Sequence, residues 1–517
     1  MIKLRALACS ILLLTFAAKA QEVSSAKQDT VPKPIAVSTA HKAMVNGKSL
    51  SYNAVAGRME VLDDTAKPMA LFGYTSYTLP AATASTSKSE GSAKPQRPIV
   101  FAFNGGPGSS SVWLHMGALG PKRVRVNDPN PTPNAPYTLE DNARSILDVA
   151  DIVMIDPMGT GISVPLGKKE MKDFWGVDED IESISAFIKQ YLIREGRMNS
   201  PRFLLGESYG TFRNAGIMNH MQGQGIAFNG VVMVSAVFDL LSLTFPKMSD
   251  LPYIMHLPSY ATTAWYHDRL SPKPADFEAF VDEVRRFTEE EYAPALYRGD
   301  RLSSEEKQAM ASRLSGFTGL STDYWLRANL RVNAGEFFAE LLRDEGAQVG
   351  RLDSRYRGIN QSLLSQTGDH DPFTTSLGLP YTSTFLDYYY GALGMDPAVP
   401  YSISAYRREG FKWNWDHLGN ASWGTRMAIQ TATDMAQTMS RNPYTKVLIM
   451  NGYFDLGTPF YAVEHTLDHL GLTPEIRANI TMTYYMAGHM MYTDEDSFDA
   501  FAKDLRTFIS EASQTKQ

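Results

Sequence analysis

Apolar residues in this chain recur in two rhythms. Residues 98–103, 150–155, 202–205, 230–236 and 446–450 are short, nearly unbroken apolar runs bounded by glycine, proline or polar turns, the pattern of strands buried on both faces, and 479–485 reads as a further strand. Between them the period changes to that of a helix. Val177, Ile181, Ile184, Ile188 and Leu192 fall on one helical face, with Asp178, Glu179 and Asp180 in the first turn, where the helix dipole favours anions. Phe498, Phe501, Leu505, Phe508 and Ile509 give a C-terminal helix the same one-sided character. Buried strands alternating with amphipathic helices predict an α/β fold with a mostly parallel sheet covered on both faces. Upstream, Asn46-Gly47 between short apolar runs reads as a hairpin turn, 70–79 as a further strand, and 81–97, rich in Ser, Ala, Thr and Lys, as an exposed loop. Residues 240–423 break the alternation. They are rich in Tyr, Arg and Asp and mainly helical in pattern, and strands resume after them, so they read as a cap inserted over one end of the sheet.

The first residues follow a different logic. Lys3 and Arg5 precede an apolar run over 6–18, and Ala18-Lys19-Ala20 supplies the small residues of a cleavage site. About 13 apolar residues are too few for a membrane-spanning helix, so 1–20 is expected to be an export signal. The polar, proline-containing stretch after it makes 21–40 a flexible leader. The α/β core is then expected over 41–239 and 424–517, on either side of the cap at 240–423. The expected destination is periplasmic or extracellular. The sole cysteine, Cys9, would leave with the signal, so no disulfide framework and no thiolate metal cluster is expected.

Composition narrows the field. With 44% hydrophobic and 20% charged residues, the 517-residue chain is globular rather than disordered. A formal charge of −7 argues against a nucleic-acid partner, which requires a basic face. No later segment offers 18 uninterrupted apolar residues, so the exported chain is expected to have no membrane span.

The candidate chemistry lies at the ends of the predicted strands. Gly206-Glu207-Ser208-Tyr209-Gly210 is a G-x-S-x-G sequence after a strand and before a helix. So sharp a turn strains the serine and exposes its hydroxyl, and the glycines keep side chains off the neighbouring strand and helix. Asn104-Gly105-Gly106-Pro107-Gly108 follows another buried strand. Its backbone N–H groups, with that of Tyr209, suit a tetrahedral oxyanion. It lacks the Lys-Ser/Thr ending of a phosphate loop, and Pro107 removes a donor. Asp455 follows a late strand, and His489 follows the last one behind a glycine. Ser208, Asp455, His489 is the chain order of an α/β-hydrolase triad. His115, next to the glycine loop, is the weaker candidate for the base, and His465 and His469 read as helix residues.

In combination these motifs resemble the serine carboxypeptidases, peptidase family S10. The resemblance extends from about residue 40 and rests on Asn104-Gly-Gly-Pro-Gly-x-Ser-Ser111, Asp156-Pro-x-Gly-Thr-Gly161-x-Ser163, Gly206–Gly210, Asn451-Gly-x-x-Asp455 and Gly488-His489-Met490. The export signal and Phe174-Trp-Gly-Val-Asp-Glu-Asp180 make the chain most similar to bacterial members. The resemblance implies an α/β-hydrolase fold, hydrolysis of C-terminal peptide bonds and no cofactor or metal. It implies Ser208 as nucleophile, His489 as base and Asp455 as its partner. It implies an oxyanion hole at the N–H groups of Gly106 and Tyr209, and a pocket for the substrate's terminal carboxylate at Asn104, Gly105 and Glu207. An esterase or acyltransferase using the same triad on small acyl donors is the alternative, and a catalytically dead binding protein a third class. Two departures stand out. Ser109 occupies the position of a disulfide cysteine, and Ala118 that of the acidic residue that supports the carboxylate-binding glutamate. The second leaves the expected recognition network incomplete.

Overall fold

Runs of five to seven apolar residues form the middle of a sheet because both of their faces are covered. The computed structural model describes residues 32–80, 97–417 and 429–514. We number the principal strands β1 (Ile35–Val45), β2 (Lys48–Leu62), β3 (Pro68–Thr78), β4 (Ile99–Phe103), β5 (Asp151–Ile155), β6 (Arg202–Glu207), β7 (Gly230–Val234), β8 (Lys446–Gly452) and β9 (Ile480–Tyr485). Among the described residues they run in the order β1-β2-β3-β5-β4-β6-β7-β8-β9, and a tenth, two-residue strand at Val164–Pro165 pairs with β3. Pairing from β5 through β9 is parallel, whereas β1, β2 and β3 join antiparallel at one edge.

Side-chain alternation splits the core into two layers. Val100, Ala102, Phe203, Leu205, Val232 and Val234 face the C-terminal helix Glu495–Ala512 through Phe498, Phe501 and Leu505. Their neighbours Phe101, Phe103, Leu204, Val231 and Met233 face Val177–Arg194 and Tyr209–Gly223 through residues such as Ile181, Ile184 and Phe212. Full burial of such a side chain contributes about 1.5–3 kcal/mol, so the two-sided strands anchor the fold.

The hairpin at Asn46-Gly47 has positive φ at both residues (46° and 71°), the geometry a two-residue turn between twisted strands needs. One expectation is corrected. Strand β1 begins at Ile35, inside the segment expected to be a leader over 21–40, and Ile35 pairs with Arg58. The expected signal at 1–20, most of that leader and the loop at 81–96 lie outside the described residues. Between β7 and β8, described residues 240–417 are largely helical, including Leu251–Tyr266, Phe277–Phe287, Ser304–Thr318 and Pro372–Asp387, with a minor pair of two-residue strands. They carry a core of their own around Tyr260, Phe287, Trp325 and Phe337. The end of the insertion returns to the strand ends, with bridges from Ser402 to Gly161, Ser404 to Ser109 and Asn414 to Gly176. The described residues from Lys33 onward form one compact unit.

Candidate active site

Strand β6 turns into the helix Tyr209–Gly223 at Ser208, which is held at φ 60°, ψ −129°. A non-glycine residue there costs about 1–3 kcal/mol and persists only where its surroundings enforce it. The enforcement is local: Ser208 N–H donates to the Val234 carbonyl (3.0 Å), and a side chain at Gly206 would collide with the Gly210 carbonyl. Ser208 is half-buried between a buried Glu207 and a buried Tyr209.

Asp455 and His489 follow adjacent parallel strands, β8 and β9. His489 Nδ1 lies 2.7 Å from Asp455 Oδ2. Asp455 also accepts from the Gly457 and Thr458 amides (2.8 and 2.9 Å) and from the Thr458 hydroxyl (2.6 Å). Burial alone would raise the Asp455 pKa, but His489 and these hydrogen bonds outweigh it and hold the carboxyl below its ordinary value. Burial would likewise lower the His489 pKa, and the Asp455 charge reverses that into a rise. The backbone of His489 is clamped as well, its N–H donating to the Leu352 carbonyl (2.7 Å) and its carbonyl accepting from Ser235 Oγ (2.6 Å).

The glycine loop after β4 closes the other side. A side chain at Gly105 would collide with the Tyr209 amide, so only glycine leaves that N–H approachable. Gly106, at φ 113°, lines the same cleft as Ser208, Tyr209 and His489. The cleft measures about 450 Å³, and Trp113, Leu240, Phe373, Tyr406 and Trp415 supply apolar wall. Where the resemblance led to a cysteine, Ser109 is fixed by main-chain pairing with Ser404 and accepts from the Trp113 indole (3.0 Å).

Glu207 sits at the base of this cleft, 3% exposed. Asn104 Nδ2 donates to its Oε1 (2.7 Å), and the Tyr492 hydroxyl donates to its Oε2 (2.6 Å). Asn104 is itself held, its Oδ1 accepting from the Leu114 amide (3.0 Å) and its carbonyl from Arg213, which pairs with buried Asp180 at 2.6 Å. Burial pushes the Glu207 pKa up to about 7, against the lowering effects of His489, Tyr492 and Asn104. Sequence reasoning missed Tyr492. Its ring lies against Gly117, where any side chain would strike it, next to the buried Ala118. A small Gly-Ala pair where the family carries an acid was the available signal that another group fills the space.

The eight residues expected at the site, namely Asn104, Gly105, Gly106, Glu207, Ser208, Tyr209, Asp455 and His489, come together here: seven line the cleft, and Asp455 stands behind His489. His115 does not join them. It is buried in the core with Nε2 2.6 Å from the Tyr77 hydroxyl, and burial drives its pKa down to about 3. His465 and His469 stack on each other, 4.1 Å between ring centroids, and line a different cavity.

Known proteins resemble limited parts of the chain in sequence and most of it in fold. Residues 85–241 match the family model for serine carboxypeptidase, Peptidase_S10. The chain is 35% identical over 136 residues to the pheromone-processing carboxypeptidase KEX1 of Saccharomyces cerevisiae, a match that covers 24% of this chain and 17% of the relative. Among solved structures it is similar to that of KEX1(delta)p, a prohormone-processing carboxypeptidase from S. cerevisiae, with a TM-score of 0.53 and 15% identity over 89% of this chain and 91% of that one. At that identity the likeness speaks for architecture, and with the mostly parallel sheet and its flanking helices it establishes the chain as an α/β-hydrolase fold.

Proposed function

We propose that this protein is an exported serine carboxypeptidase, of the bacterial type, that removes residues from the C-terminus of peptides. Ser208 Oγ attacks the last peptide carbonyl while His489 takes its proton, Asp455 holding the ring and favouring its charged form. The amides of Gly106 and Tyr209 receive the oxyanion. His489 then protonates the departing amine, leaving an acyl group on Ser208, and water attacks that ester with His489 again as base. Asn104, the Gly105 backbone and Glu207 receive the substrate's terminal carboxylate. The observation that most supports a carboxypeptidase over a general hydrolase is Glu207: a buried carboxyl with a pKa near 7 beside the nucleophile can carry a proton and donate it in a hydrogen bond to a second carboxylate. The expected export signal at 1–20 supports release beyond the cytoplasmic membrane.

The test is mass spectrometry of a blocked pentapeptide incubated with the purified protein. A ladder of products shortened one residue at a time from the C-terminus is expected, and none with Ser208→Ala. Cleavage of simple esters with the pentapeptide left intact would overturn the proposal in favour of the esterase or acyltransferase reading.

A further inference from the structure

Among the described residues that line the cleft, Glu207, Arg351 and His489 are the ones able to carry charge at neutral pH, and the guanidinium of Arg351 is the one fixed charge. The side chain is exposed, and among the described residues no carboxylate forms an ion pair with it. The adjacent acid, Asp371, is engaged elsewhere: it caps the helix Pro372–Asp387 by accepting from the Phe373 amide (3.3 Å) and Thr374 hydroxyl (2.7 Å), and it meets Arg351 only through the main-chain N–H (3.0 Å).

The backbone that carries this cation is bound to the reacting groups. The Arg351 carbonyl accepts from Leu456 N–H (3.0 Å), next to Asp455, and the Leu352 carbonyl accepts from His489 N–H (2.7 Å). Gly457 makes room for it. A Cβ there would stand 3.1 Å from Arg351 Nη1, and the Gly457 amide itself donates to Asp455. The charge is near enough to oppose protonation of His489 and to favour ionisation of Tyr406, a residue whose hydroxyl lies over Gly106. It therefore overlooks the position of the scissile bond. An unpaired guanidinium in a cleft with largely apolar walls offers a forked donor for a carboxylate, and apolar groups do not satisfy it.

Resting on the carboxypeptidase reading, in which Asn104 and Glu207 receive the terminal carboxylate, we propose that Arg351 is a specificity residue. It reads a second carboxylate, carried by the side chain of an Asp or Glu on one side of the scissile bond.

Blocked dipeptides with Glu, Gln or Lys at either the penultimate or the terminal position test this, as ratios of kcat/KM within each enzyme, so that any difference in folded fraction cancels. The wild type is expected to prefer Glu over Gln by at least about fivefold at one of the two positions, which identifies the side occupied. The ratio is expected to fall towards one in Arg351→Gln, to reverse in favour of Lys in Arg351→Glu, and to shrink in high salt because the site is exposed. No Glu preference at either position, or one that survives Arg351→Gln, overturns the inference. So does an equal loss on all free-acid substrates, which would mean that Arg351 reads the terminal carboxylate instead. Failure to cleave any of these dipeptides overturns the carboxypeptidase reading and this inference with it, a result distinct from cleavage without preference.

Discussion

At the scale of single residues, the pair Tyr492 and Glu207 decides how a buried acid behaves. The Tyr492 hydrogen bond favours the ionised carboxyl. Tyr492→Phe should therefore raise the Glu207 pKa above about 7 and shift the loss of free-acid substrate binding to higher pH. Glu207→Gln, a neutral donor at every pH, should flatten that dependence. Plots of KM against pH for one free-acid dipeptide check both, and a limb unmoved by Tyr492→Phe would separate Tyr492 from substrate binding. Ser208→Ala is expected to lower kcat by about 10⁴- to 10⁶-fold with the fold intact. Asp455→Asn and His489→Ala should each be severe and their combination no worse than the more severe single change, because the groups act as a unit. The motif residues were legible because tight turns and exposed nucleophiles demand glycine and serine at fixed local spacings. Tyr492 was not, since it reaches Glu207 across 285 residues of sequence and only the fold brings them together.

At the scale of elements, the inner strands were legible to within a residue or two because burial on both faces removes polar residues from them. Strand β1 was not: at the sheet edge its side chains from Ile35 to Lys42 alternate between half-buried and exposed, and its sequence mixes Ser, Thr and Ala, which blurs the contrast. The segment 411–417, which carries Trp413 and Trp415 against Tyr209, shows a second limit of local pattern. It is tied down by His417, whose ring lies 2.6 Å from Asp178 and 2.8 Å from Asp434. Burial disfavours the charged ring, but the two aspartates outweigh it and raise its pKa to about 9. A raised histidine pKa means that its contribution to stability is full below the unfolded value near 6.5 and fades as pH rises through about 9. The Tm difference between wild type and His417→Asn should thus be largest near pH 6 and close to zero by pH 10. A difference independent of pH would show that the ring acts through packing alone.

At the scale of the whole molecule, a buried charge cluster joins three segments distant in sequence. Arg355, 4% exposed in its side chain, pairs with Asp128, Asp353 and Asp494 at 2.9, 2.6 and 3.1 Å, and Asp353 also accepts the Gly488 amide beside His489 (3.0 Å). Removing one partner of a buried network strands the others, at a cost of about 3–5 kcal/mol. Arg355→Met should lower the urea midpoint accordingly, and an unchanged midpoint would mean that the cluster does not hold the insertion to the core. That the insertion is helical was legible; which of its residues meet the site was not, because Arg351 and Trp415 belong to irregular segments without a period. The account as a whole rests on Glu207 reading a free C-terminus next to Ser208. The direct measurement is kcat/KM against pH for one blocked dipeptide as free acid and as amide. Both should rise with pH as His489, held above its ordinary pKa, loses its proton. Above about pH 7 the free acid alone should fall as Glu207 ionises, after an advantage of about 10- to 150-fold over the amide at lower pH. Parallel curves with no such advantage would contradict the carboxypeptidase assignment.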